Sequence, residues 1–256
     1  MEAYAKYTAN TSGSLNWNMQ RDMGMESKVH LIDCVEFMRG LPDKAFDLAI
    51  VDPPYGIGED GRKGVRTSPS RPNSYNREPK YKSKNWDNSA PEKSYFIELL
   101  RVSNNVIVWG ANHFIENIPN QNSSCWIVWD KKNEGTDFAD CELAWTNMKT
   151  AVRKYTIHKF EGTRGGKDCI HPTQKPVALY RWLLRNYAKP NDTIFDSHMG
   201  SQSSRIACHM EGFDFTGCEL DAEYFEQGNQ RYESFIKTYG TPDPKQAIKG
   251  QQINLF

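Results

Sequence analysis

The stretch Phe46-Asp47-Leu48-Ala49-Ile50-Val51-Asp52-Pro53-Pro54-Tyr55 decides the fold. Leu48 to Val51 are apolar without alternation. That marks a strand covered on both faces, as in parallel sheets flanked by helices. Two consecutive prolines end it, because proline lacks the N–H a ladder needs and biases the preceding residue to extended backbone. The segment therefore predicts a buried parallel strand whose C-terminal end carries an acidic residue, a rigid turn and an aromatic ring. In open α/β sheets that end is where ligands bind.

Outward from this strand, residues 29–32 read as a strand and 35–39 as a short helix. After Pro91, Tyr95, Phe96, Leu99 and Leu100 share one helical face and lead into a strand over 105–109. Strands over 125–129 and 142–145 follow, then a helix over 177–188, a strand at 193–195, a helix at 201–211, a strand at 213–218 and a helix at 222–237. Strands alternating with helices predict an α/β, three-layer, Rossmann-like fold. Residues 1–27 read as a polar arm, 28–237 as the folded domain with insertions at about 56–90 and 147–170, and 238–256 as a flexible tail.

A chain of 256 residues with 38% hydrophobic and 12% aromatic residues builds a substantial core, which excludes a wholly disordered protein. No apolar run approaches the roughly 20 residues of a membrane helix. The opening MEAYAKYTANTSGS lacks the basic and apolar regions of a secretory signal, so the expectation is a cytoplasmic protein with no membrane partner. Six cysteines without C-x-x-C spacing read as reduced thiols, and no metal site is expected. With 32 basic against 32 acidic residues, any surface for a polyanion must come from local clustering.

Asp52-Pro53-Pro54-Tyr55 offers a carboxylate, carbonyls without a helix to join, and an aromatic face. The exocyclic amino group of a flipped base needs both kinds of contact: acceptors draw its lone pair out of ring conjugation, and stacking holds the ring. An ordinary strand-ending turn would use the same residues, and the tetrapeptide alone leaves both readings open. In Phe195-Asp196-Ser197-His198-Met199-Gly200-Ser201 an apolar strand ends in an acid, and small residues open a helix. Such a turn lets backbone N–H groups approach a nucleoside cofactor. Glu219, ending the next strand, suits ribose hydroxyls; a plain helix cap at Ser201 and a surface Glu219 are the alternative. In His171-Pro172-Thr173-Gln174-Lys175-Pro176 the Thr173 hydroxyl and the Lys175 ammonium, near a helix start, could receive a carboxylate.

Together these stretches resemble the S-adenosylmethionine-dependent DNA amino-methyltransferases, in the permuted order where the catalytic tetrapeptide precedes the cofactor strand. The resemblance runs from about Lys28 to Phe235 and is nearest to the branch of phages and prophages. It implies the circularly permuted methyltransferase fold, with Asp52, Pro53, Pro54 and Tyr55 as the catalytic turn: Asp52 and the Pro53 carbonyl bind the amino group and Tyr55 stacks on the base. It implies that Asp196, Ser197, His198, Gly200 and Ser201 surround the cofactor, with Glu219 on its ribose. Asp33 and Cys34 would lie beside its adenine, and Thr173 and Lys175, with His171, would face its methionine carboxylate. The chain departs from the family's Asp-Pro-Phe-x-Gly-Ser-Gly at Ser197, His198 and Gln202, which puts cofactor affinity in question. An Asp heading the tetrapeptide is associated in the family with adenine N6, and Ser with cytosine N4. The expectation is a site-specific adenine-N6 methyltransferase, of the kind found in restriction-modification systems. Its alternatives are a cytosine-N4 enzyme and a DNA-binding relative without turnover.

Arg62, Lys63, Arg66, Arg71, Arg77, Lys80, Lys82 and Lys84 face one acid, Glu78, across the stretch that follows the catalytic turn. This excess suits the phosphates of double-stranded DNA, while a solvated loop is the other reading. A second basic stretch, Lys149, Arg153, Lys154, Lys159, Arg164 and Lys167, lies where related enzymes place target recognition. The final residues carry Gln252, Leu255 and Phe256 and resemble the short peptides that dock on the bacterial sliding clamp by burying Leu and Phe in a groove. A tail folded on its own domain is the alternative. Monomer and homodimer are both open, as are nucleoid association and a phage-infected cell.

Overall fold

The computed structural model of the protein describes residues 25–59, 81, 84–134, 139–163 and 168–240. The chain lays down β1 (Ser27–Leu31), α1 (Cys34–Arg39), β2 (Phe46–Val51), α2 (Lys93–Val102), β3 (Ser103–Trp109), β4 (Trp126–Asp130), β5 (Cys141–Thr146) and β6 (Arg153–Thr156). Then come α3 (Val177–Tyr187), β7 (Thr193–Asp196), α4 (Ser203–Glu211), β8 (Asp214–Glu219) and α5 (Ala222–Tyr239).

The strands join into one sheet in the order β1-β8-β7-β2-β3-β5-β4-β6. β1, β8, β7, β2 and β3 pair in parallel, β5 is antiparallel to both its neighbours, and β6 pairs parallel with β4. Among the described strands β5 therefore runs against the rest. Its N-terminal end comes to the edge where the others have their C-terminal ends.

The unalternating β2 is explained by its two faces. Leu48 and Ile50 belong to a buried cluster with Leu179 and Leu183 of α3 and Ala207 of α4. Ala49 and Val51 belong to a second cluster with Met38 of α1 and Phe96 and Leu99 of α2. The expected three-layer α/β/α fold is present, with β2 central. Burying each such aliphatic side chain contributes about 1.5–3 kcal/mol relative to exposure, so β2 gives its C-terminal turn a firm base.

Local differences from the sequence expectation have local causes. α4 begins at Ser203 and not at 201, because Gln202 takes a left-handed backbone, φ 58°. β6 was not anticipated: its Arg-Lys-Tyr-Thr has no apolar pattern, and an edge strand needs only backbone pairing, here secured by Tyr155 stacked on Trp182 at 4.9 Å. Part of the insertion expected over 147–170 is thus a sheet edge. α5 continues to Tyr239, two residues into the expected tail. Residues 1–24 of the arm and 241–256 of the tail lie outside the described residues.

All six cysteines are free. Among the described residues no cluster of His, Cys, Asp or Glu could hold a metal, and no helix is long and apolar enough to cross a membrane.

Candidate active site

Asp52 follows directly on β2. Its Oδ2 lies 2.6 Å from Lys175 Nζ, and its Oδ1 accepts from the Tyr55 hydroxyl at 2.8 Å. Lys175 also meets Glu142 Oε2 at 3.1 Å, and Lys131 Nζ meets Glu142 Oε1 at 2.7 Å. Four charges alternate in sign, Lys131, Glu142, Lys175 and Asp52, with the Lys175 residue only 4% exposed. Such a buried chain persists only because each charge has a partner.

The electrostatics follow from burial and order. Burial raises the Asp52 carboxyl above its usual range; Lys175 offsets part of this, and Glu142 adds repulsion. Burial would also raise Glu142, but two ammonium neighbours, Lys175 and Lys131, outweigh it and hold that carboxyl at about 2. Burial together with Asp52 and Glu142 pushes the Tyr55 phenol well above its ordinary value. The Tyr55 ring stacks on His113 at 5.1 Å. It also lies so close to Gly110 that a Cβ there would come within 2.1 Å of it.

A second group lies on the same edge, at the ends of β7 and β8. Asp196, 1% exposed, accepts from the His198 amide at 3.0 Å and from the Ser204 hydroxyl. Burial raises its carboxyl to about 7 despite these bonds. Glu219 accepts from the amides of Gly200 (2.8 Å), Leu220 (3.0 Å) and Asp221 (2.9 Å), which ties the Asp196–Gly200 turn to the end of β8. Ser197 shares hydrogen bonds with Tyr95 (2.6 Å) and His198 (2.8 Å). His198 lies 3.8 Å from the Cys34 sulfur and is lowered to about 4 by burial, so its ring is neutral. Leu31, 51% exposed, pairs in register with Glu219, and Leu220 is 71% exposed. A partly exposed carboxylate beside exposed apolar side chains fits a ribose carrying a heterocycle.

The expected residues divide between these two groups. His171 lies in ordinary contact distance of Gly200 and bonds the Thr173 hydroxyl at 3.0 Å; burial lowers its ring to about 3. Both therefore sit beside the Asp196–Gly200 turn. Lys175, two residues on, lies apart from them, with its ammonium paired to Asp52 and Glu142. Asp33 serves as the N-cap of α1, accepting from the Val35 and Glu36 amides at 2.9 Å. Ser201 lies in the turn before α4, where its hydroxyl bonds Ser203.

Gln202, which replaces a family glycine, turns away from the edge. Its amide donates to Asn229 at 3.0 Å and accepts from Arg205 at 2.9 Å, and its side chain packs where Gly228 leaves room. This departure therefore leaves the Asp196–Gly200 turn and Glu219 uncrowded.

Of the basic residues expected on DNA, Lys84 pairs with Asp221 at 2.7 Å and Glu223 at 2.9 Å, so its charge is already met within the protein. Arg62, Lys63, Arg66, Arg71, Arg77, Lys80 and Lys82 lie outside the described residues, as do Arg164, Lys167, Gln252, Leu255 and Phe256. Sequence reasoning missed Glu142 and Lys131. The one available signal was a carboxylate opening the apolar Glu-Leu-Ala-Trp strand, and nothing local says which edge that strand end reaches.

Comparison with known proteins gives consistent results. A family model described as DNA methylase matches residues 46–230. The Type II methyltransferase M2.MboI of Moraxella bovis is 23% identical over 248 residues, spanning 78% of this chain and 85% of that protein. The crystal structure of the M1.HpyAVI–SAM complex superposes with a TM-score of 0.52 at 20% identity, covering 80% of this chain and 98% of that one. The cytosine-N4-specific PvuII DNA methyltransferase superposes with a TM-score of 0.52 at 12% identity, covering 89% and 94%.

Proposed function

The chain belongs to the DNA methylase family of N6 and N4 amino-methyltransferases, and from that premise we propose that it methylates the N6 amino group of a flipped adenine in double-stranded DNA. The observation that carries the adenine reading is the half-buried Asp52 carboxylate at the head of the catalytic turn, where the resemblance associates Asp with adenine. S-adenosylmethionine, when bound, supplies an electrophilic methyl group on its sulfonium. Glu219, Gly200, Ser197, His198 and Asp196, with His171, Thr173 and the Asp33–Cys34 corner, are the residues that would hold it.

The chain's own contribution is positioning and charge. A carboxylate has about four acceptor sites, and Lys175 and Tyr55 use two of those on Asp52. The remaining lone pairs and the Pro53 carbonyl can accept from the target amino group. That interaction strengthens as positive charge grows on the nitrogen, the requirement for lowering a barrier rather than merely binding. Afterwards the nitrogen must lose a proton, and a carboxyl raised by burial is suited to take it at an Asp52 oxygen. Tyr55, wedged against Gly110, fixes the turn, and the resemblance assigns it the stacking contact with the base.

The tail Gln252–Phe256 is read from sequence as a sliding-clamp peptide, which would place methylation at replicating DNA. The function is tested by incubating unmethylated DNA with methyl-labelled S-adenosylmethionine and the intact protein or Asp52→Ala, then digesting to nucleosides. Label in N6-methyladenine that vanishes in the variant is the expected result. Label in N4-methylcytosine would keep the family and overturn the base, and cofactor binding without label in any DNA tested would favour a relative that no longer turns over.

A further inference from the structure

The segment Lys84-Asn85-Trp86-Asp87 belongs to neither motif group, yet it touches both. Asp87 is 2% exposed. Its Oδ1 accepts from the amides of Tyr55 at 2.7 Å and Gly56 at 2.8 Å, its Oδ2 from the amide of Glu59 at 2.7 Å, and its carbonyl from Gly58 at 3.0 Å. Four of the five amides over 55–59 thus converge on one residue. Gly56, at φ 74°, packs so closely that a Cβ would lie 2.7 Å from the Ala90 nitrogen. The backbone that carries Tyr55 is therefore folded around Asp87 and has little room to shift.

The other end of the segment is fastened to the cofactor side. Lys84 pairs with Asp221 and Glu223 and lies 4.1 Å over the Tyr224 ring. Asp221 caps α5 and donates its amide to Glu219. Trp86 packs on His171 at 5.0 Å, and His171 meets Tyr224 at 4.4 Å and borders Gly200. From Lys84 to Asp87 the chain can span at most about 10 Å. A displacement at the α5 N-terminus cannot be absorbed in so short a link.

We propose that Asp87 is the positioning residue of the catalytic turn, and that residues 84–87 tie the placement of that turn to the cofactor-binding edge. The proposal rests on the methyltransferase reading for its kinetic consequences, while the tie itself is a property of the folded chain. In-line transfer depends on reacting atoms held near contact distance, where a 1 Å error costs about 100-fold. A short internal link between the residues that hold the methyl donor and those that hold the acceptor serves that need.

The test combines amide hydrogen exchange with kinetics on the full chain. In Asp87→Asn the side-chain NH2 would face the Glu59 amide, donor against donor. Exchange at Tyr55, Gly56 and Glu59 is expected to rise about tenfold or more, while amides of β2 and β7 keep their rates. kcat should fall about tenfold or more, with the S-adenosylmethionine Kd, read by calorimetry, within about threefold of the parent. Lys84→Met, which touches none of these amides, should also raise exchange at Tyr55 and Gly56, and Lys84→Arg should restore it.

Unchanged exchange over 55–59 in either variant would overturn the tie. So would unchanged kcat in Asp87→Asn, or exchange that rises equally through the sheet, which would make Asp87 a residue of the fold alone. If the parent protein methylated no DNA, the failure would fall on the proposed function, since the exchange measurement needs neither substrate nor turnover.

Discussion

The Lys175 ammonium stands 2.6 Å from Asp52 Oδ2, joining the His-Pro-Thr-Gln-Lys-Pro stretch to the head of the Asp-Pro-Pro-Tyr turn. Pro176 is the N-cap of α3, so the helix begins two residues after Lys175. The lysine is carried on the entry to a helix whose inner face, Leu179, Tyr180, Leu183 and Leu184, is buried. Its charge is shared with Glu142 at 3.1 Å, so the cation in contact with Asp52 is held from two sides.

Lys175→Met leaves two half-buried carboxylates, Asp52 and Glu142, without the buried cation between them. Breaking a buried pair in this way costs about 3–5 kcal/mol, read as a lowered urea midpoint. With the cation gone the Asp52 carboxyl rises further. If its ionised form is the active one, the acid limb of the pH–rate profile moves to higher pH. An unmoved limb would show that Lys175 does not set the charge state of Asp52.

Glu142 is held at about 2 against an ordinary value of 4.5. A depressed carboxyl contributes stability that is fully present above the unfolded value and is lost as pH falls through the folded one. Glu142→Gln should therefore be destabilised relative to the parent at pH 7, and the difference should shrink as pH falls from about 4.5 towards 2. Chemical denaturation at pH 7 and pH 3 measures it. A constant difference would mean that the loss is one of packing.

Asp196 shifts the other way, raised to about 7 from 3.8. Between those values the native state retains a proton that the unfolded state has released, so its contribution to stability falls as pH rises. Asp196→Asn removes that dependence. The Tm of the variant relative to the parent should be higher at pH 8 than at pH 5, whatever its effect on cofactor binding.

Gly110→Ala places a Cβ 2.1–2.4 Å from the Tyr55 ring at a residue with φ 69°. A ring held between its hydroxyl partners and His113 cannot yield as a flexible chain end could. Overpacking and left-handed strain together cost about 2–4 kcal/mol. Methyl transfer should fall about tenfold or more, with cofactor affinity little changed, as a split of kcat from the S-adenosylmethionine KM would show.

Deleting residues 252–256 should abolish binding to the bacterial sliding clamp in a pull-down or by calorimetry and leave methylation of short duplexes intact. Clamp binding that survives the deletion would remove the clamp reading of the tail.

Local chemistry made much of this protein legible in its sequence. The apolar run before Asp52 gives a strand buried on both faces, and its double proline gives the end of that strand. The 3.6-residue spacing of Tyr95, Phe96 and Leu99 gives a helix face. Asp196 and Glu219 read correctly as strand-end acids because apolar period and chain breakers act on adjacent residues. The antiparallel direction of β5 was not legible. Side-chain alternation reports which faces are covered and is the same for a strand run in either direction, so nothing in Glu-Leu-Ala-Trp announces that Glu142 arrives beside Asp52. Nor do the sequence neighbours of Lys175 announce its ion pairs: the sheet order brings two carboxylates within reach of one ammonium. Asp87 is an acid in a Trp-Asp-Asn turn until the fold closes four amides around it. What the chain encodes locally is where strands stop and which residues stand at their ends; which of those ends meet, and with what charge, is fixed only when the sheet is assembled, because Coulomb and hydrogen-bond partners are chosen by distance in space.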